Sequence, residues 1–414
     1  MSTLSATPRD RVARVPWFQL ARDRVSVGTL VLAMAMSALS VQPAEAQQTI
    51  TDVLTFLMTN RSIPTDDFVR DEEAAIATRD TIGDLLVLEL ANLPSSSAAG
   101  FSYRLDPALG TVIRSSDSFG PVFTERSLLA GRGQASLSVN YRTTVFDTID
   151  GRNLRDGTLL STASILRGDS APFDVETVSL RIRTDIMTAT GTFGITDRVD
   201  ISAGVPFVRL SLQGERVDTY RGRQLVQATA SASAAGLGDV LLRGRFNVVR
   251  EEASGLSVSA EVRLPTGREE DLLGTGTMSF TPRVIGSYEQ NSVGVHAELG
   301  YSFDETADAL VYGAAVTGVA TPRVTVIGEV LGRRLKGLGA LTETTTPHPR
   351  LAGVDTIRLV GSGESTDRVM AAAGVKWNVA STWLMTVSVL RSLTNVGLNA
   401  TWVPSVTFDY WFGQ

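Results

Sequence analysis

The sequence predicts an all-β protein: an antiparallel up-and-down transmembrane β-barrel of about 12 strands, within a range of about 10 to 14, preceded by an N-terminal helical segment. Two observations predict this fold. Apolar and polar residues alternate over many segments of about ten residues, the length of a tilted membrane-spanning strand. Short and long connections between these segments also alternate along the chain, as in an up-and-down barrel.

The composition limits the class of protein. The chain has 414 residues, a net charge of −6 and no cysteine. Without cysteine it has no disulfide framework, thiolate metal site or cysteine nucleophile. A nucleic-acid-binding protein needs a basic surface, so the negative charge argues against a nucleic-acid partner. We expect no cofactor, no metal site and no enzymatic activity.

Residues 1–46 are predicted to be a signal peptide. Several arginines precede an apolar run from Val25 to Leu39, and Ala44-Glu45-Ala46 offers small residues at the cleavage positions. The alternative is a membrane anchor, because residues 25–44 carry no charge and approach the roughly 20 residues of a spanning helix. Gly28 and Pro43 dilute that run, which favours a cleaved signal and a mature chain that starts at Gln47.

Residues 47–132 are predicted to form an N-terminal unit of helices and a hairpin. Ala75, Ile82, Leu86 and Leu90 recur at helical spacing on one face, and residues 101–116 are typical of a hairpin that turns at Asp106-Pro107. The unit is too polar for lipid. It either plugs the barrel or lies beneath it in the periplasm, and a solvated extension is the remaining alternative.

Residues 133–414 are predicted to form the barrel, because the apolar period changes to two near Gly133. In one example, Leu256, Val258 and Ala260 alternate with Ser257 and Ser259. Short connections fall at 195–197, 250–255, 289–292, 320–322 and 380–382, and long ones at 147–173, 213–235, 265–277 and 334–366. Sandwiches and propellers predict no such alternation of connection lengths.

Aromatic residues cluster near the short connections. Aromatic girdles of outer-membrane barrels lie at the two membrane interfaces, and short turns face the periplasm. The predicted interface aromatics are Tyr288, Trp377, Trp383, Tyr410 and Phe412.

Charged residues occupy the strand positions that are predicted to face the lumen, since charge is costly towards lipid. Two interpretations stay open: the charges pair across strands and stiffen the wall, or they contact a solute. The lumen-lining candidates are Arg181, Arg183, Asp239, Arg243, Arg245, Glu261, Arg263, His296, Glu298, Glu329 and Arg333.

Residues with catalytic potential are few. The chain has two histidines, and His296 lies near Glu298 and Ser302 in one strand, which allows a hydrolase hypothesis. Nothing in the spacing requires a catalytic site, and a hydrogen-bonded wall histidine is the alternative that we favour.

Two stretches, Gly194 to Val208 and Gly236 to Phe303, carry a resemblance to a known family through four segments. They are GITDRVDISAGVPFV from Gly194, GLGDVLLRGRFNVV from Gly236, VSAEVRLPTGREEDLLGTG from Val258 and HAELGYSF from His296. Together they resemble the outer-membrane family named for the MetA pathway of phenol degradation. That resemblance implies a barrel that passes small hydrophobic molecules.

These observations predict an outer-membrane transporter or channel for small, hydrophobic or aromatic molecules that cross by passive diffusion. Its partners are predicted to be outer-membrane lipid, a small-molecule solute and, during biogenesis, the barrel assembly machinery. One alternative is a structural or adhesive barrel with a filled lumen, and another is an outer-membrane hydrolase.

Overall fold

The computed structural model describes residues 48–59, 70–91, 100, 103–106, 111–114, 116–251, 253–305, 307–337 and 339–412. The predicted signal peptide lies outside these residues. Neither of the two described helices is both long enough and apolar enough to cross a membrane.

The described elements follow one another in a simple order. The helices are α1 (Ile50–Met58) and α2 (Glu72–Ala91). The strands are β1 (Tyr103–Asp106), β2 (Thr111–Arg114), β3 (Ala135–Val145), β4 (Thr148–Ile149), β5 (Arg152–Asn153), β6 (Leu159–Leu166), β7 (Asp174–Thr196), β8 (Val199–Tyr220), β9 (Arg223–Leu237), β10 (Val240–Arg250), β11 (Ser254–Leu264), β12 (Ser279–Gln290), β13 (Val293–Asp304), β14 (Ala309–Thr321), β15 (Val324–Leu335), β16 (Leu341–Pro347), β17 (Val354–Gly361), β18 (Thr366–Ala380), β19 (Trp383–Ser392), β20 (Leu398–Asn399) and β21 (Val403–Trp411).

Twelve of these strands close into an antiparallel barrel, which confirms the predicted fold class. The order around the barrel is β3, β7, β8, β10, β11, β12, β13, β14, β15, β18, β19 and β21, and β21 pairs with β3. The closed ring leaves no strand edge towards lipid. Tight turns join β7 to β8, β12 to β13, β14 to β15 and β18 to β19, and we call this the short-turn end.

Residues alternate between the two faces of the wall. In β11, Ser257 is fully buried towards the lumen, whereas Leu256 and Val258 are each 39% exposed on the outer surface. The apolar outer face and polar inner face suit a strand between lipid and a polar interior.

Strands β7 and β8 continue far beyond the membrane. β7 has 23 residues and therefore spans roughly 75 Å, whereas the bilayer core is about 30 Å thick. Beyond the barrel the two strands join β6, β9, β16 and β17 in what we call the outer sheet.

The predicted long loop 213–235 is wrong, because these residues form the hairpin of β8 and β9. The hairpin turns at Arg221 and Gly222, whose φ angles of 48° and 79° suit a two-residue turn. Its returning strand alternates alanine with serine, a contrast in polarity too weak to indicate a strand in the sequence.

The N-terminal helices pack on the inner face of the outer sheet. Leu57 of α1 lies against Leu180 and the backbone of Gly214, and the Thr78 hydroxyl of α2 accepts a hydrogen bond from the amide of Leu359 in β17. Ala75, Ile82 and Leu86 are buried, as the helical spacing predicts. Both helices contact the outer sheet, which lies at the end of the barrel opposite the short-turn end; we call this the long-connection end.

Candidate functional site in the barrel lumen

Residues 116–132, which we call the lumenal loop, enter the barrel from its short-turn end and return to it. Ser116 donates to Glu289, which lies beside the turn between β12 and β13. The amide of Ala130 donates to Asp200, beside the turn between β7 and β8, over 3.1 Å. Residues 118–127 between these two contacts are buried.

The tip of the lumenal loop is held by one carboxylate. Glu329 of β15 is 4% exposed and accepts hydrogen bonds from the consecutive amides of Val122, Phe123 (3.0 Å) and Thr124 (2.8 Å). Successive amides that converge on one anion form a favourable concave site. Lys376 of β18 donates to the carbonyl oxygen of Phe119 over 3.2 Å.

A buried charge network holds the same loop to the opposite wall. Glu125 of the loop forms ion pairs with Arg243 and, over 3.0 Å, with Arg245. Arg245 also pairs with Asp200 over 2.6 Å, and Arg243 also pairs with Glu261. For these residues the interpretation of mutual pairing describes the structure, but Glu125 was not among the predicted residues.

Small polar residues complete the attachment. Ser127 donates its amide to Ser287 over 2.9 Å, and its carbonyl oxygen accepts from Asn247 over 2.9 Å and from Ser257 over 2.8 Å. The serines that alternate with apolar residues in these strands therefore satisfy backbone groups of a buried loop.

His296 is a buried wall residue. Its Nδ1 lies 3.0 Å from the hydroxyl of Ser287, and its Nε2 lies 3.4 Å from that of Thr317. Ser302 lies six residues further along the same strand, about 20 Å away, and accepts a hydrogen bond from Thr281. The structure therefore does not bring Ser302, the serine of the hydrolase hypothesis, to His296.

The remaining inward candidates divide into paired and separate groups. Glu298 accepts a hydrogen bond from the amide of Glu125 over 3.2 Å, so it also contacts the lumenal loop. Arg263 and Arg333 share the inward strand faces with Glu261 and Glu329, respectively, but lie further from the short-turn end.

Arg181 and Arg183 do not face the lumen, so this prediction is wrong. Both are exposed on β7, and Arg183 pairs with Asp185 over 3.1 Å. Leu180 and Ile182 between them point inward because this part of β7 covers α1 and not a polar lumen. Beyond the barrel the apolar face of β7 thus points inward, whereas within the barrel it points outward.

Asp239 is buried, but it holds a loop instead of lining the lumen. Its carboxylate accepts hydrogen bonds from the amides of Gly267 over 3.0 Å and Thr275 over 2.9 Å. This contact joins the GLGD stretch to both ends of the stretch PTGREEDLLGTG. The motif that resembles the family therefore shapes the connection between β11 and β12.

The predicted interface aromatics lie on the outer surface beside short turns. Trp383 packs on Tyr410 with ring centroids 4.8 Å apart, and Tyr410 packs on Phe412 at 4.7 Å. Tyr288 and Trp377 are each about half exposed.

A second buried cluster, the outer charge cluster, fixes the start of α2 to the outer sheet. Arg70 pairs with Asp174 and Glu176, each over 3.1 Å, and with Asp218. Arg216 donates to the carbonyl oxygen of Leu57 at the end of α1 over 3.3 Å. Asp174 lies nine residues, about 30 Å, beyond the last residue of β7 that pairs with β3, and thus outside the membrane.

The outer charge cluster predicts a dependence of stability on pH. Burial and the neighbouring Asp218 raise the pKa of Asp174 to about 7, although Arg70 acts in the opposite direction. The resulting stabilisation is complete below the unfolded pKa of 3.8 and is lost as the pH rises through about 7. We expect the free energy of unfolding, measured in urea, to fall by about 2 kcal/mol between pH 5 and pH 8.

Asp174→Asn should remove most of this difference, whereas Asp169→Asn, at an exposed position, should keep it. Equal pH dependence in all three proteins would contradict the assignment to Asp174.

Comparison with known proteins gives one family and a set of barrels. The sequence matches the profile of the family described as MetA-pathway of phenol degradation over residues 135–342. No curated protein matches it. The chain is 12% identical to an outer membrane channel from Pseudomonas putida F1, with a TM-score of 0.42 over 68% of this chain and 96% of that one.

Two porins show a similar likeness. The KdgM porin is 8% identical, with a TM-score of 0.35 over 67% of this chain and 99% of the porin. The NanC porin is 7% identical, with a TM-score of 0.36 over 67% of this chain and 100% of the porin.

Proposed function

This chain belongs to the MetA-pathway of phenol degradation family, and from that premise we propose that it is an outer-membrane channel through which small hydrophobic or aromatic molecules diffuse. The proposal includes export by the signal peptide and insertion by the barrel assembly machinery. Its lipid contacts are the apolar outer face of the barrel strands.

The lumenal loop carries the proposal, because its contacts are those of a gate. It crosses the lumen without any covalent bond to the wall apart from its own chain ends. Hydrogen bonds and ion pairs to Glu329, Lys376, Arg243 and Arg245 hold it in place. Each of these partners is polar and faces the lumen. When the loop moves out, the part of the wall that it exposes is therefore polar and can be hydrated.

Glu329→Ala is expected to increase flux through the barrel. The change removes the carboxylate that three loop amides share, and each hydrogen bond to a charged group contributes about 1.5 to 3 kcal/mol. We expect single-channel conductance in planar bilayers, and uptake of an aromatic solute by liposomes, to rise several-fold over the native protein.

Glu364→Ala is the matched control, because it removes the same charge at an exposed position between β17 and β18. If Glu329→Ala folds and inserts but conducts no more than Glu364→Ala, the lumenal loop is not the gate.

The filled lumen also favours a second candidate, a structural or adhesive barrel whose working surface is the outer sheet. That sheet and its two helices extend well beyond the membrane. The two functions differ in one measurement. In liposomes, a gated channel passes an aromatic solute as the native protein, whereas a structural barrel passes none as the native protein, even when the variant with residues 118–130 replaced by a short glycine-serine linker conducts.

A further inference from the structure

We propose that Arg333 and Arg368 form a lumenal binding site for an amphiphilic organic anion, a carboxylate carried on an apolar body. The two arginines oppose each other directly on the neighbouring strands β15 and β18. Both lie on the inward strand faces, in the rows that contain Glu329 and Lys376, respectively. Arg368 also donates to the carbonyl oxygen of Leu398 over 2.8 Å, so Arg333 is the main donor of the site. The inference rests on the proposed channel function and names its class of solute.

The wall around these arginines has an excess of positive charge. The inward rows of β14, β15, β18 and β19 contain one acid, Glu329, and three cations, Arg333, Arg368 and Lys376. Both oxygens of Glu329 already accept hydrogen bonds from the lumenal loop, so this acid does not reach the arginines.

Arg333 forms no close ion pair within the part of the chain that the structure describes. Its Nε is buried without a hydrogen-bond partner, and none of the described carboxylates forms an ion pair with it. At longer range Arg263 and Arg283 repel it, and Asp304 and Glu261 attract it. Like charges that face each other across neighbouring strands destabilise a sheet, and an anion between them would offset that cost.

Apolar residues flank Arg333. Val311 pairs with Arg333 from the other side, and Leu331 and Leu335 lie next to it in the same inward row. Leu331 is 8% exposed and Leu335 is 5% exposed. Planar guanidinium groups recognise carboxylates through two parallel hydrogen bonds, while the apolar neighbours suit a ring or an alkyl chain.

The site lies on the outer side of the gate. Arg333 is four residues, about 13 Å, further from the short-turn end than Glu329, which holds the tip of the lumenal loop. A solute that enters from the long-connection end therefore reaches the arginines before it reaches the loop.

Calorimetric titration of the full-length protein in detergent with benzoate tests the proposal. Benzamide, which has the same shape without the charge, is the matched ligand. Arg334→Gln is the matched variant, because it removes the neighbouring charge from the outer face, where Arg334 is 57% exposed. We expect benzoate to bind the native protein and the Arg334→Gln variant with the same affinity. Benzamide should bind the native protein, and benzoate should bind the Arg333→Gln variant, at least about tenfold more weakly.

Three results would overturn the site: no benzoate binding to the native protein, equal affinity for benzamide and benzoate, or native affinity in a folded Arg333→Gln variant. The comparison of the two ligands needs no variant, so it decides even if Arg333→Gln does not fold. Flux is measured separately. If the native protein binds benzoate but the variant with the replaced loop passes no solute, the binding site is supported and the channel function is contradicted.

Discussion

Replacing Arg245 by methionine is expected to lower the free energy of unfolding by about 3 to 5 kcal/mol. Arg245 is 5% exposed and joins two carboxylates, Asp200 of β8 through two hydrogen bonds of 2.9 and 2.6 Å, and Glu125 of the lumenal loop at 3.0 Å. Loss of the guanidinium leaves both carboxylates buried with less compensation. The cost arises mainly from these uncompensated charges, and the loss of one favourable pair is the smaller part.

Urea titration of the protein in lipid vesicles measures this change. Arg334→Met is the control, because Arg334 and Asp367 lie 3.9 Å apart and both are more than half exposed, so the loss should stay below about 1 kcal/mol. Adding Asp200→Asn to Arg245→Met should recover part of the stability, since one buried charge is then absent. If the double variant is less stable than the single one, the physical account of the network is wrong.

The fold of the barrel followed from the sequence because two independent patterns agree. Strands between lipid and a polar lumen must alternate in polarity, and β11 does so at every position from Leu256 to Arg263. The alternation of short and long connections separates a barrel from a sandwich. Neither pattern depends on contacts between residues that are distant in the chain.

The same alternation gave a wrong prediction of the inward face where the environment changes along a strand. The lower part of β7 faces lipid on one side and the lumen on the other, whereas its upper part faces water on one side and α1 on the other. Arg181 and Arg183 therefore point to water and not to the lumen, although the alternation continues without a break. A periodicity of two shows that faces differ but does not show which environment each face meets.

The lumenal loop could not be predicted at the level of its contacts. Glu125 pairs with Arg243, which lies 118 residues away, and the segment around Glu125 has no periodicity that places it against any strand. Arg243 and Arg245 lie on the inward face, and half of their ion pairs are with this loop. An isolated charge in a non-periodic segment is the only signal that the sequence offers.

Gly194→Ala is expected to destabilise the protein by about 2 to 3 kcal/mol and to displace the base of the lumenal loop. A Cβ at position 194 would overlap the carbonyl oxygen of Gly131. Backbone surrounds this contact on both sides: Gly133 donates to the carbonyl oxygen of Gly194 over 2.8 Å, and Gly194 donates to that of Gln134 over 2.9 Å. Gly131 has a φ of 94°, which restricts the conformations into which it could retreat.

Gly191→Ala is the matched control on the same strand. It faces the outer surface, and a Cβ there would have no atom within 4 Å, so its stability should equal or slightly exceed that of the native protein. Urea titration gives the stability of both variants, and conductance in planar bilayers reports the position of the loop. Because Gly131 ends the segment that Glu125 and Glu329 hold in the lumen, a shift of this base weakens the gate even when the barrel still closes. Gly194→Ala should therefore conduct more than Gly191→Ala, and equal conductance together with equal stability would show that the loop base is not fixed by this contact.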